Sequence, residues 1–171
     1  SGEIALYPLT KNNHVNGILR TSLSTKENTV ITKQAHDYLS SLLKKLNYVG
    51  VLALELFVKD DMVIANEYAP RVHNSGHWTI EGTDASQFEN HLRAIMDMKL
   101  GDTSVHGYAG MENLIGSIPA KIRDLNKEFF FHDYGKEERQ GRKLGHVSIV
   151  TPKEEDREIK LKEIQRIISQ T

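Results

Sequence analysis

Hydrophobic positions recur at helical spacing in three segments of the chain and form short, strand-like runs elsewhere. The helical spacing predicts helices over residues 26–46 and 153–169, and a third helix that is capped by Asp84 or Ser86. Strands are predicted over residues 3–7, 18–24, 49–58, 62–67, 112–118, 129–134 and 146–150. Together these elements predict an α+β protein.

Two of the predicted helices have an apolar face that is expected to pack inward. These faces consist of Phe88, Leu92, Ile95 and Met96 in the middle helix, and of Ile164, Ile167 and Ile168 in the last helix. The last helix carries a dense mixture of both charges on its other side, which is typical of a surface helix over a core.

Polar segments mark the predicted turns and the division of the chain. Residues 11–14 are polar and precede Gly17, which favours a turn. Asp60 and Asp61 are expected to join two strands in a hairpin, and residues 70–77 are expected to form a loop. After residue 101 the pattern changes to short strands. The chain is therefore expected to consist of a main lobe, residues 1–100, and a smaller β-rich part, residues 101–171.

Composition and charge exclude several classes of function. The 171 residues include 22 Lys and Arg and 23 Asp and Glu, a net charge of −1, which argues against a nucleic-acid-binding or polybasic membrane-binding protein. Cysteine is absent, so disulfides and thiolate chemistry are excluded. The longest apolar run is residues 51–54, too short for a membrane span. With no secretory signal at residues 1–3, these features predict a cytoplasmic protein.

Two acidic residues interrupt otherwise apolar strands of the predicted hairpin. Glu55 and Glu67 lie on adjacent antiparallel strands, and two converging carboxylates repel each other unless a cation lies between them. Oxygen ligands favour Mg²⁺ or Mn²⁺, which bind substrate phosphates as well. The alternative is that both side chains face solvent on the polar side of the hairpin.

The loop that follows Glu67 is crowded with polar and cationic groups. Residues 66–77 include Arg71, His73 and His77, which could bind an anion such as phosphate or bicarbonate. The four-residue spacing of the histidines would suit a metal pair on a helix, but Pro70 and Gly76 make a helix improbable here. The alternative is a polar crossover loop whose side chains cap backbone groups.

A second cationic segment lies near the end of the chain. Residues 136–146 contain Lys136, Arg142 and Lys143 around a glycine turn, which would suit a phosphomonoester. A solvated surface loop is the alternative. His14 is a single histidine within a polar segment.

Residues 66–79, followed by residues 86–94, closely resemble the biotin-independent ATP-grasp carboxylases of purine synthesis, the 5-(carboxyamino)imidazole ribonucleotide synthases. Residues 7–20, 48–51, 113–116 and 141–146 resemble further motifs of that family. The resemblance covers essentially the whole chain, and the run from Arg71 to His77 is its most specific part. It implies the carboxy-terminal lobe of an ATP-grasp domain followed by a small, rudimentary hybrid-motif domain.

The resemblance implies a ligase that joins ATP, bicarbonate and 5-aminoimidazole ribonucleotide through carboxyphosphate. Glu55 and Glu67 would hold Mg²⁺ or Mn²⁺. The implied nucleotide contacts are Asn66, Glu67 and His14, with the neighbouring Asn13 as the alternative to His14. Arg71 and His73 would orient bicarbonate and stabilise carboxyphosphate. The implied ligands of the ribonucleotide phosphate are Lys136, Arg142 and Lys143.

The chain departs from that family in one respect. In the family, a nucleotide-fold domain and an ATP-clamping lobe precede the segments found here, and the chain begins at Ser1 without Met. We therefore expect a piece of a longer enzyme, inactive alone, that works with its own amino-terminal domains as a homodimer. The alternatives are a formate-using or glycine-using ATP-grasp ligase of the same pathway, and a non-catalytic interaction domain.

Overall fold

The computed structural model describes residues 2–26 and 30–170. Within these residues the strands are β1 (Thr10–Val15), β2 (Ile18–Ser24), β3 (Ala53–Lys59), β4 (Met62–Ala69), β5 (Tyr108–Ile115), β6 (Phe130–Asp133) and β7 (Lys143–Thr151). The helices are α1 (Val30–Leu46), α2 (Thr79–Gly82), α3 (Gln87–Ile95), α4 (Ala120–Arg123) and α5 (Glu154–Ser169), with a 3₁₀ turn at Asn74–Gly76. None of these helices has the length and apolar character needed to cross a membrane.

The larger sheet of the described residues is antiparallel, with the strand order β1-β2-β5-β7-β6. Helix α5 packs against β5 and β7. The main core lies between them and consists of Leu114, Ile122, Phe129, Val147, Ile149, Leu161 and Ile164. Strands from both sides of residue 100 share this sheet, and the division of the chain at that residue stays a prediction.

The first hairpin differs from the sequence prediction. Residues 11–14 lie within β1 and not in a turn, so that prediction was wrong. The turn lies at Asn16 and Gly17, whose φ angles are +52° and +74°. An Asn-Gly pair with positive φ at both positions is typical of a tight hairpin turn. Strand β1 is an exposed edge strand, which explains its polar sequence.

The predicted strand over residues 3–7 was also wrong, since the structure contains no strand there. This segment is fixed by hydrogen bonds from side chains, and not by strand pairing through backbone hydrogen bonds. The Tyr7 hydroxyl donates to the Ala85 carbonyl oxygen at 2.7 Å. The Thr103 hydroxyl donates to the Leu6 carbonyl oxygen at 2.8 Å.

Helix α3 buries a different face from the predicted one. Its predicted apolar face, Phe88, Leu92, Ile95 and Met96, is exposed, whereas Gln87 and Asn90 are buried. The amide of Asn90 donates to the Tyr7 hydroxyl and exchanges hydrogen bonds with the backbone of Gly101. These bonds compensate for the burial of a polar side chain. Ser86 caps the helix by accepting from the Glu89 backbone N–H at 3.2 Å.

The other two predicted helices are found. Helix α5 has the predicted inward face, with Ile164 fully buried and Ile167 and Ile168 packed against the core. Helix α1 begins at Val30 in the described residues. The predicted start at residue 26 adjoins residues 27–29, which lie outside the described residues.

The Ile164→Ala variant is expected to lower the free energy of unfolding by about 2–5 kcal/mol, because it removes a side chain with no exposed surface and leaves a cavity. Chemical denaturation would measure the loss. Ile159 lies on the same helix and is 64% exposed, so Ile159→Ala is the matched control and should be nearly neutral. Equal losses in the two variants would contradict the assigned core.

Candidate active site

Strands β3 and β4 bring the two predicted carboxylates together at a β-bulge. The pairing shifts between Leu54 and Leu56, so that Asn66 and Glu67 of β4 stand opposite the single residue Glu55 of β3. A bulge redirects side chains and is common beside active sites. The Asn66 amide donates to Glu55 Oε2 at 3.5 Å, a long contact.

His73 contacts this bulge from the following loop. Its Nε2 lies 3.6 Å from Glu55 Oε1, and its Nδ1 lies 2.8 Å from the Ser75 hydroxyl. The Ser75 backbone N–H donates to the same Nδ1 at 3.4 Å, which places the ring proton on Nε2, towards Glu55. Burial lowers the pKa of His73 more than the nearby Glu55 raises it. His73 is therefore a neutral donor at neutral pH.

Arg71 and Lys143 bring positive charge to the same place. Both lower the pKa of His73, and Glu67 acts on it in the opposite direction. Arg71 is exposed and uses Nη1 to donate to the Val72 carbonyl oxygen at 2.9 Å. Burial is the main cause that lowers the pKa of Lys143, which begins β7. Carboxylates and cations thus face each other around His73.

The two remaining phosphate-binding candidates lie in the loop before β7. Lys136 contributes to the lowered pKa of Lys143 and lies 5.1 Å from the centroid of the Tyr134 ring. Arg142 donates to the carbonyl oxygen of Glu137 at 3.5 Å, within its own loop. Lys136 therefore lies close enough to Lys143 to act on it electrostatically, whereas Arg142 makes its hydrogen bond within its own loop.

His14 lies on β1 and shares a cavity with the bulge. This cavity has a volume of about 850 Å³, and its lining includes His14, Glu55, Asn66 and His73. Lys136, Arg142 and Lys143 are not part of its lining. Of the predicted site residues, four therefore line the cavity, namely His14, Glu55, Asn66 and His73, whereas Glu67 and Arg71 do not. Lys136, Arg142 and Lys143 form a separate group before and at the start of β7.

Three amide residues of the site were missed by the sequence analysis. Gln87 is hydrogen-bonded to His73 at both its backbone N–H and its carbonyl oxygen. Asn113 is fully buried on β5 and exchanges two amide hydrogen bonds with Asn74, at 2.6 and 3.0 Å. In the sequence, Asn113 is a polar residue directly before the apolar pair Leu114 and Ile115. That interruption of an apolar strand was the signal that could have pointed to Asn113.

A cluster of buried and half-buried rings lies beside Lys143. His146 is stacked on His132 with 4.5 Å between ring centroids, and its Nδ1 lies 2.8 Å from the Tyr134 hydroxyl. Burial raises the pKa of Tyr134 to about 12 and lowers that of His146 to about 3. Glu81 Oε1 lies 2.7 Å from His132 Nε2. Tyr134 and His146 are therefore both uncharged at neutral pH.

The donor set at the bulge suits a cation that completes its coordination with ligands from elsewhere. Among the described residues, no group of three or more His, Asp or Glu side chains could hold a metal ion by itself. Glu55 and Glu67 supply two carboxylates, and the contacts of Glu55 are long. Mg²⁺ is commonly bound by one or two carboxylates together with substrate phosphates and water. The residues present fit that pattern.

Comparisons with known families identify the fold. A model described as the ATP-grasp domain matches residues 1–88, just over half of the chain. The chain belongs to the ATP-grasp family. A second model, described as the phosphoribosylaminoimidazole carboxylase C-terminal domain, matches residues 109–160 of this ATP-grasp chain. The predicted fold, an ATP-grasp lobe followed by a small C-terminal domain, is confirmed.

Individual relatives agree with this assignment. The N5-carboxyaminoimidazole ribonucleotide synthase of Pseudomonas aeruginosa is 42% identical over 168 residues, which cover 98% of this chain and 46% of the relative. The corresponding synthetase structure from Thermus thermophilus is 44% identical with a TM-score of 0.92, and covers 98% of this chain and 47% of that chain. The ATP-grasp chain therefore spans less than half the length of these relatives.

The solved relatives include complexes with nucleotides. The N5-carboxyaminoimidazole synthase of Aspergillus clavatus, in complex with ADP and 5-aminoimidazole ribonucleotide, is 27% identical with a TM-score of 0.87. The match covers 95% of this chain and 47% of that chain. The predicted resemblance to these synthases is confirmed.

Proposed function

We propose that this chain belongs to an enzyme that carboxylates 5-aminoimidazole ribonucleotide, using ATP and bicarbonate, in purine synthesis. Bicarbonate oxygen attacks the γ-phosphorus of ATP, the bond to the β-phosphate oxygen breaks, and ADP leaves. The resulting carboxyphosphate passes its carboxyl group to the exocyclic amine, with release of phosphate and a proton. Phosphoryl transfer of this kind depends mainly on positioning and charge stabilisation.

One observation carries the proposal. The bulge of β3 and β4 sets Glu55 opposite Asn66 and Glu67, with His73 3.6 Å from Glu55 and with Arg71 and Lys143 acting on His73. Carboxylates and cations next to one another suit a reaction between a metal-bound polyphosphate and a small anion. The relatives named above support this reading.

The two carboxylates would hold Mg²⁺ or Mn²⁺. When bound, the ion would neutralise negative charge on the β- and γ-phosphates of ATP. Asn66 and His14 line the same cavity as Glu55 and would contact the nucleotide. The carboxylates leave the rest of the coordination sphere to water and phosphate, as expected for Mg²⁺.

Arg71 and His73 would hold bicarbonate. The guanidinium of Arg71 is exposed and uses one of its N–H groups within its own loop, so the other donors can bind an anion. His73 is neutral and can donate from Nε2 without adding a charge. These donors would bind bicarbonate before attack and the carboxyphosphate formed from it.

Lys136, Arg142 and Lys143 would bind the phosphate of the ribonucleotide. Lys136 and Lys143 influence each other electrostatically, which indicates that they lie close together. An incoming phosphomonoester would relieve the repulsion between the two cations. Arg142, immediately before β7, would add a planar pair of donors.

We further propose that the working enzyme is a cytoplasmic homodimer in which this chain is joined to amino-terminal domains that complete the ATP site. A formate-using or glycine-using ligase of the same family would share the two carboxylates. The loop from Arg71 to His77 favours bicarbonate over those substrates, because it resembles the bicarbonate-using family. A non-catalytic domain would have no use for the charges at the bulge.

Phosphate release by the intact protein tests this function. With Mg·ATP, release is expected to require both the ribonucleotide and bicarbonate, and to yield carboxylated ribonucleotide. The 171-residue chain, assayed in parallel, is expected to release no phosphate above background. Release supported by formate or glycine instead would overturn the substrate assignment. Turnover by the isolated chain would overturn the requirement for further domains.

A further inference from the structure

The side chain of Gln87 is bonded to the loop that carries His73 and His77. It is 3% exposed, so its carboxamide depends on protein partners. Its Oε1 accepts from the His73 backbone N–H at 2.9 Å, and its Nε2 lies 2.7 Å from the His73 carbonyl oxygen. The same Nε2 lies 2.8 Å from His77 Nδ1. Both amide hydrogens are therefore used.

These partners fix the orientation of the amide. Turning it by 180° would set the Gln87 oxygen against the His73 carbonyl oxygen, and the NH₂ group against the His73 N–H. Since the correct orientation places a donor against His77 Nδ1, that nitrogen must offer a lone pair. The ring proton of neutral His77 is then on Nε2.

The loop packs closely on the amide. A Cβ atom added to Gly76 would lie 2.7 Å from Gln87 Oε1. The Thr79 hydroxyl accepts from the Gln87 backbone N–H at 3.0 Å and donates to the Gly76 carbonyl oxygen at 2.6 Å. Gln87 is therefore linked to the loop twice, directly through its side chain and, through the Thr79 hydroxyl, by its backbone N–H.

We propose that Gln87 is a positioning residue of this site, whose carboxamide fixes the loop between His73 and His77 and holds His77 as the neutral imidazole with its proton on Nε2. The backbone bonds to His73 set the distance of that ring from Glu55. The side-chain bond to His77 sets which nitrogen of that ring donates. Through these bonds Gln87 acts on the two histidines without contacting the reactants.

The surroundings of His77 favour the same neutral form. The groups that face it are His73, His132, His146, Tyr134 and Lys143, none of which carries negative charge at neutral pH. Burial lowers the pKa of His77 to about 4, and the electrostatic influence of His73, His132 and Lys143 acts in the same direction. Its charge state is therefore sensitive to any carboxylate placed at residue 87.

Nuclear magnetic resonance of the 171-residue chain with ¹⁵N-labelled histidine tests the proposal. In the unchanged chain, His77 is expected to be neutral at pH 7, with its proton on Nε2. In Gln87→Glu, the new carboxylate faces Nδ1 and stabilises a proton there, so the midpoint of His77 titration is expected to rise by at least about one pH unit. That rise is a tenfold change in the protonation equilibrium.

Gln34→Glu is the matched control. Gln34 also accepts from a backbone N–H, that of Val63 at 3.2 Å, and donates to a carbonyl oxygen, that of Asp61 at 3.1 Å. Neither of these bonds involves a histidine ring, so this variant is expected to leave the titration of His77 unchanged. An Nδ1–H tautomer of His77 in the unchanged chain would overturn the proposal even if Gln87→Glu does not fold. An unaltered titration in folded Gln87→Glu would overturn it as well.

A second readout rests on the proposed function. In the intact protein, Gln87→Glu is expected to lower kcat/KM for bicarbonate at least about tenfold, while KM for ATP changes less than about twofold. Equal loss for both substrates would indicate a merely structural role and overturn the positioning role. The resonance experiment requires no turnover, so failure of the carboxylation proposal would leave its result intact.

Discussion

Glu67→Gln is expected to lower the Mg²⁺-dependent phosphate release of the intact protein by about 100- to 1000-fold. The substitution keeps the shape of the side chain but removes one of the two anionic groups at the bulge. With one carboxylate left, the site would bind Mg²⁺ more weakly and would stabilise less of the charge that develops on the transferred phosphoryl group. Steady-state phosphate release at several Mg²⁺ concentrations would measure both effects.

Glu55→Gln is expected to cause a loss of the same order, since Glu55 also faces His73 at the bulge. Glu163→Gln, which neutralises an exposed residue of α5, is the control for a change of net charge and should leave turnover unaltered. Full activity with an unchanged Mg²⁺ requirement in Glu67→Gln would show that Glu67 is not a ligand of the metal ion.

Acidification from pH 7.5 to 5.0 is expected to destabilise the folded chain, through His146 and His77. Burial lowers the pKa of His146 to about 3 and that of His77 to about 4, whereas an unfolded histidine titrates near 6.5. Between these values the unfolded chain binds protons that the folded chain does not, so stability rises with pH. Each histidine contributes a slope of up to about 1.4 kcal/mol per pH unit, and its contribution is complete only above pH 6.5.

Urea unfolding at several pH values would measure this slope, because most carboxylates stay ionised in that range. His146→Asn keeps a polar group near the Tyr134 hydroxyl and removes the titrating ring, so the slope is expected to decrease. His106→Asn replaces an exposed histidine paired with Asp84 and is the control. A stability that does not vary between pH 7.5 and 5.0 would contradict the buried, neutral state of both rings.

The carboxylates of the site could be predicted from sequence because each one interrupts an apolar strand. Glu55 and Glu67 stand out against their neighbours, and the Asp60–Asp61 turn brings their strands together. The bulge, at which Glu55 stands opposite both Asn66 and Glu67, depends on the register of the two strands. The hydrophobic pattern of so short a hairpin does not specify that register. The pairing of the two strands was therefore predictable, while the register at the bulge was not.

The buried face of helix α3 could not be predicted from the sequence, because polar residues occupy positions where apolar ones were expected. Gln87 and Asn90 are buried because their amides find partners in other segments of the chain, His73 for Gln87 and Tyr7 for Asn90. Helical periodicity predicts that the apolar residues Phe88 and Leu92 form the buried face of the helix, yet both are exposed. Hydrogen-bond partners depend on tertiary structure, so periodicity alone assigns the wrong face.

The shared sheet has a consequence for synthesis on the ribosome. Strand β2 ends at Ser24 and pairs with β5, which begins at Tyr108, so its inner edge has no partner until β5 has been translated. At typical translation speeds, the roughly 80 intervening residues take about 4–16 seconds to appear. During that interval the nascent hairpin presents unpaired backbone groups that other chains could bind. Early engagement by a chaperone would protect that edge until β5 emerges.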